Sequence, residues 1–226
     1  MSVQKLNGSK TAILDIDEVL LDMLSPMHLM YEQFIGQNIT NDEFFWHMRN
    51  FNKEPERYKD FGVFFNSSPA YLNLPPKKDM LPILTSLKAA GFDIHLVSAS
   101  SDNKELQKKR KENVCRYYGD IFTSVNCIGS QNKQQVIRNL AENYDVSFYC
   151  DDTPQVVNQS VGITDYSIWL YNSLYEVYAP LLDKKATQIA YNPRDILKIV
   201  DVDTGNAKTI SAKDIQLISS LQKING

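Results

Sequence analysis

The chain has 226 residues, 43% of them hydrophobic and 23% charged, the make-up of a globular protein large enough for one good core plus an accessory element. A formal net charge of -3 gives the whole no electrostatic pull towards nucleic acid or an anionic membrane, so an anionic partner must be drawn in by a local site. The three cysteines, Cys115, Cys127 and Cys150, have no paired-ligand spacing; they suggest neither a disulfide framework nor a zinc site, and a reducing, cytoplasmic setting fits them.

The opening stretch holds a short apolar run interrupted by Asp15, Asp17 and Glu18, which is neither a signal-peptide core nor a membrane span. Residues 11–17 are apolar and β-branched, as in a buried parallel strand, and end in carboxylates. Because strand residues alternate faces, Asp15 and Asp17 can point the same way. Residues 22–75 are too many for a simple crossover and need a structure of their own. Helical spacing over 28–36 and 41–51 and a wealth of aromatics, Phe45 and Trp46 among them, predict a small helical cap. Pro75 and Pro76 mark its return to the core.

A helix is expected next, capped by Asp79, running through Leu81, Leu84 and Leu87 and stopping at Gly91. Strand-like runs follow at 93–98, 124–128, 146–150 and 167–171, with a helix over 132–143 that carries Val136, Ile137 and Leu140 on one face. The basic stretch 104–111 could serve a phosphate backbone, but Glu105 and Glu112 interleave it, as on a solvated helix face. Strands alternating with helices imply βαβ units, hence a doubly wound α/β domain with a parallel sheet. The expected division is a core of 1–21 and 76–185, a cap of 22–75, and a C-terminal extension of 186–226. A turn at 204–206 and a helix over 212–221 are expected in the extension, with no role assigned.

In an open parallel sheet the ligand lies beyond the carboxyl ends of the strands. The polar residues that end apolar runs there are Asp15 and Asp17, Ser98 with Ser100 behind it, and Asp151 and Asp152; Lys133 opens the helix before the last pair. Four acidic groups at one cleft repel one another unless a cation stands among them, and an all-oxygen set without histidine suits Mg2+. Lysine and serine then serve as donors to an oxyanion, and the parts together describe phosphoryl transfer. His28, His47 and His95 are scattered and take no part, and Cys150 is expected to be a small buried residue beside the site.

These residues resemble the four ordered motifs of the haloacid dehalogenase superfamily: Asp15-Ile-Asp17, then Ser98 after an apolar strand, then Lys133, then Asp151-Asp152. The resemblance covers residues 10–175, and the insert falls where the superfamily's first type of cap falls. It implies that Asp15 is the nucleophile and that Asp17 is the general acid and base, its backbone carbonyl binding the metal. Ser98, Ala99 and Lys133 would bind phosphate. Mg2+ would be held by Asp15, Asp17 and Asp152, with Asp151 in support. Many relatives have glycine where this chain has Glu18, so the subfamily is left open. The implied activity is hydrolysis of a small phosphorylated metabolite, with a nucleoside monophosphate suggested by the cap aromatics. Alternatives are a phosphatase for polynucleotide ends or sugar phosphates, and a non-catalytic binding module on the same fold.

Overall fold

The structure is a computed structural model and describes residues 9–51, 53–129 and 132–202. Among them six strands, β1 (Lys10–Leu14), β2 (Asp93–Ala99), β3 (Ser124–Ile128), β4 (Asp145–Asp151), β5 (Tyr166–Leu170) and β6 (Thr187–Ala190), form one sheet in the order β3-β2-β1-β4-β5-β6. All neighbours pair in parallel. The period of two along β1 sends Ala12 and Leu14 into one core and Ile13 into another. On the first face lie helices α5 (Met80–Ala89), α6 (Lys104–Tyr118) and α9 (Pro193–Ile199), which contribute Leu84, Val114 and Ile196. On the second lie α7 (Lys133–Asn143), with Ile137 fully buried against Val97 and Tyr149, and the short α8 (Pro154–Asn158). A sheet covered on both faces explains why its strands are continuously apolar.

Two expectations are corrected. Residues 187–199, assigned to an extension, form β6 and α9 and belong to the core. The strand escapes a sequence reading because it is a four-residue edge strand with its middle residues exposed, too short for a recognisable apolar run. Asp79 stands at the N-cap position, just before α5, but makes no capping hydrogen bond, its backbone already being helical at φ -81° and ψ -7°. Asn132 does cap α7, its side chain accepting from the Gln134 amide at 2.9 Å. The turn and helix expected at 204–206 and 212–221 lie outside the described residues.

Between β1 and α5 run four helices, α1 (Leu24–Ile35), α2 (Asn41–Phe51), α3 (Pro55–Asn66) and α4 (Pro69–Leu72). Their aromatics are mostly their own core: Tyr31 meets Phe61 edge-on at 4.9 Å between ring centroids, and Phe65 meets Tyr71 in the same way at 5.4 Å. The two linkers to this insert lie side by side, Asp22 donating to the Pro75 carbonyl and Lys77 to that of Leu20, each at 2.8 Å.

Glu18 pins this hinge. One carboxylate oxygen accepts from the amides of Met23 and Leu24, where α1 begins, at 2.6 and 2.7 Å; the other meets Lys77 on the returning linker at 2.6 Å. The residue sits at φ 61°, a left-handed conformation that glycine adopts freely and that strains a side chain. Glutamate stands there because its carboxylate joins both linkers. Replacing Glu18 with glycine should relieve about 1 kcal/mol of strain yet lose charge-assisted bonds of larger sum. The expected net loss is about 2 kcal/mol, read as a fall in melting temperature of roughly 4–8 °C. An unchanged or raised melting temperature would show that the clamp contributes nothing.

Candidate active site

The strand order reverses around β1, so the crossovers leaving β1 and β4 diverge and open a crevice at their carboxyl ends. β1 ends at Leu14, short of the expected 17; the Asp15 amide still donates to the Cys150 carbonyl at 2.9 Å, and Asp17 lies in the loop beyond. A cavity of about 790 Å³ occupies the crevice, with Asp15, Asp17, Ser98, Ala99, Lys133, Asp151 and Asp152 all in its lining. Its cap side is formed by Met23, Met27, Phe51, Phe65, Asn66 and Tyr71. Phe45 and Trp46, the rings singled out for the cleft, do not line it, and Trp46 is half exposed on the outside of the cap.

Lys133 is the hub. It is carried to the crevice as the first residue of α7, and its buried ammonium donates to Asp15 at 2.8 Å and to Asp151 at 2.7 Å. Asp151 is saturated: the same oxygen also accepts from the Tyr149 hydroxyl, and the other from the Thr153 amide at 2.8 Å. Asp152 accepts from Asn172 at 2.9 Å and from the Thr153 hydroxyl at 3.3 Å. On Asp15, Lys133 takes Oδ1, and no hydrogen bond among the described residues engages Oδ2. Ser98 is buried near the end of β2, and Ser100, also at the cavity, has a buried hydroxyl without a partner among the described residues.

Burial dominates the electrostatics. It pushes Asp15 up to about 7, helped by Asp151 and Asp17 and opposed by Lys133. Asp152 is raised well above the carboxylate range by burial and by Asp151 and Asp15. Burial works against the Lys133 ammonium, but Asp15 and Asp151 outweigh it and hold the group above its ordinary value. Burial, with Asp151, Asp152 and Asp15 adding to it, pushes the Cys150 thiol well above its ordinary value and so disfavours the thiolate.

Asp15, Asp151 and Asp152 each offer a carboxylate oxygen within 4.8 Å of the others. Three carboxylates beside one ammonium leave two negative charges when ionised, the charge a divalent cation cancels. The donors are all oxygen, so the set fits a hard ion such as Mg2+. The Asp17 carboxyl stands outside this group and faces Arg110, a residue the sequence hides in its solvated-looking basic stretch. Asn172 and Tyr149 were also missed. Asn172 lies two residues beyond β5, just after the apolar run 167–171, so the rule that picked out the other strand-ending polar residues could have found it; Tyr149 carries no such signal, being one apolar strand residue among several.

No family model matches the sequence, and no curated protein matches it. Solved structures do match its fold. A predicted phosphatase from Clostridium acetobutylicum is 16% identical with a TM-score of 0.54, over 84% of this chain and 99% of that one. A hydrolase from Streptococcus pneumoniae TIGR4 is 15% identical with a TM-score of 0.52, over 86% and 99%. A chain from Bacillus subtilis classed as a HAD-hydrolase and bound to magnesium is 12% identical with a TM-score of 0.54, also over 86% and 99%. The protein therefore has the fold of the haloacid-dehalogenase-type hydrolases.

Proposed function

We propose that the protein is a Mg2+-dependent phosphomonoester hydrolase that works through an aspartyl-phosphate on Asp15. The observation that carries this reading is the meeting of Asp15, Asp151, Asp152 and Lys133 at the carboxyl edge of the sheet, with Asp15 lining the cavity and its Oδ2 making no hydrogen bond among the described residues. That oxygen attacks phosphorus as the bond to the leaving oxygen breaks. Asp17 gives its proton to the departing alcohol; burial raises its pKa against the opposing pull of Arg110 and Lys133, and so favours the protonated form this step needs. Asp17 then takes a proton from the water that attacks the phosphorus, releasing inorganic phosphate and restoring Asp15. Lys133, Ser98 and the Ala99 backbone bind the phosphate oxygens. Mg2+, held by Asp15, Asp152 and the Asp17 carbonyl with Asp151 in support, would neutralise charge on the phosphate.

The cavity suits a small phosphorylated metabolite. Its apolar cap wall of Met23, Met27, Phe51, Phe65 and Tyr71 supports a leaving group with a flat or apolar body, a nucleoside monophosphate being one such ester. No helix among the described residues is long and apolar enough to cross a membrane, which is consistent with a cytoplasmic enzyme. A panel of nucleotides, sugar phosphates, polynucleotide ends, alkyl phosphates and aryl phosphates, assayed with Mg2+ and with excess chelator, tests the reading. Turnover should require Mg2+ and vanish in chelator. Full activity in chelator would overturn the mechanism, and no turnover of any ester would favour a binding module.

A further inference from the structure

The basic stretch 104–111 lies in α6, and most of it is solvated, but one stripe of the helix is not. Gln107, Arg110, Asn113 and Val114 are buried there, and Arg110 is only 2% exposed. Burying a guanidinium is costly without a partner of opposite charge. Its partner is Asp17, whose Oδ1 lies 3.3 Å from Nε. No other cation among the described residues forms an ion pair with Asp17.

The rest of the guanidinium faces the insert. It lies over the Tyr71 ring, 4.4 Å from the centroid, and Nη1 donates to the Tyr71 carbonyl at 3.3 Å. One turn on, Asn113 braces the same segment, accepting from the Leu74 amide at 2.9 Å and donating to the Leu74 carbonyl at 3.0 Å. Tyr71 and Asp17 both line the cavity where the ester's leaving group must lie. The contact with Asp17 is close yet not aligned as a hydrogen bond, leaving Nε and Oδ1, like Nη2, each without a hydrogen-bond partner among the described residues. The guanidinium therefore places the carboxyl by close approach, without the aligned hydrogen bond that would tie up the oxygen.

We infer that Arg110 is a positioning residue: it holds the carboxyl of Asp17 on the leaving-group side of the cavity and ties that placement to α4 of the cap. The inference rests on the phosphatase reading above and adds to it the residue that aims the acid. An aryl phosphate with a good leaving group departs without protonation, whereas an alkyl phosphate needs the proton as its P–O bond breaks. A misaimed Asp17 therefore harms the second ester selectively, and a general loosening of the fold harms both alike.

The test measures kcat/KM, which reports the steps through the first P–O cleavage, for both esters with Mg2+ in the wild type, Arg110→Met and Arg110→Lys. Arg110→Met should lose about 10²-fold on the alkyl phosphate and less than about threefold on the aryl phosphate. Arg110→Lys keeps the charge but not the flat stacked group, and should lose roughly tenfold on the alkyl phosphate alone. If circular dichroism shows Arg110→Met to be unfolded, the ratio in Arg110→Lys decides. Equal losses on both esters, or none on the alkyl phosphate, would overturn the inference while leaving the phosphatase reading intact. A wild type inactive on both esters would remove that reading and this inference with it.

Discussion

Replacing Asp15 with asparagine should abolish turnover, by on the order of 10⁴-fold or more, and with it any covalent phosphoenzyme. The amide keeps the shape of the side chain but has no carboxylate oxygen with which to attack, the role proposed for Oδ2, which makes no hydrogen bond among the described residues. Asp17→Asn should behave differently. It removes only proton transfer, typically worth about 10²- to 10⁴-fold, and should spare the aryl phosphate relative to an alkyl one. Rapid quenching with a phosphate-labelled aryl ester separates the two. Label should appear on the protein in Asp17→Asn, where the attacking oxygen remains but the base for water is gone, and should be missing in Asp15→Asn. Equal, mild losses in both variants would mean that the roles are wrongly divided.

The parts of this site legible in the sequence are those that follow a strand rule. A buried parallel strand is a short apolar run, its carboxyl end faces the crevice, and the polar residue that stops the run is therefore a candidate. That logic finds Asp15, Asp17, Ser98 and the Asp151-Asp152 pair, all of which line one cavity. It places β2, β3, β4 and β5 within a residue or so of their observed ends, and it fails for β6, a short edge strand with little to bury. Lys133 needs more than the strand rule. What distinguishes it is the fold, which turns the first residue of α7 towards two carboxylates.

Arg110 marks the limit of one-dimensional reading. A solvated helix face and a buried polar stripe have the same composition, and only the partner tells them apart; that partner, Asp17, is remote in sequence. The cap aromatics failed for a related reason. A small insert of helices must bury a core of its own, so most of its rings point inward, and within the helical signal at 41–51 it is Phe51, not Phe45 or Trp46, that lines the cavity. Glu18 was flagged as a departure from glycine, but its carboxylate contacts could not be foreseen, because they join two linkers that meet only in the folded chain.

Replacing Lys133 with methionine should destabilise the metal-free protein by about 3 to 5 kcal/mol near pH 8, because it leaves Asp15 and Asp151 buried without their cation. Methionine keeps most of the length of the side chain, so the loss is one of charge. The pH dependence follows from the raised pKa of Asp15, about 7 against an ordinary 3.8. A carboxyl raised on folding binds more protons in the folded state than in the unfolded one, so its contribution is fully present below about 4 and is lost as pH rises to about 7. The wild type in chelator should therefore grow less stable from pH 5 to pH 8. Lysine 133 itself stays charged across that range in both states, so its removal acts through the carboxylates. Without it Asp15 rises further, the folded variant holds its protons to higher pH, and the decline steepens. The deficit of Lys133→Met against the wild type should thus be smaller at pH 5 than at pH 8, and urea denaturation at the two pH values measures it. Mg2+ should recover part of the deficit at pH 8, since it supplies positive charge to the same oxygens, and little at pH 5, where protons compete for them. A deficit equal at both pH values and indifferent to Mg2+ would mean that Lys133 matters only for packing, and that the three carboxylates do not form one electrostatic unit.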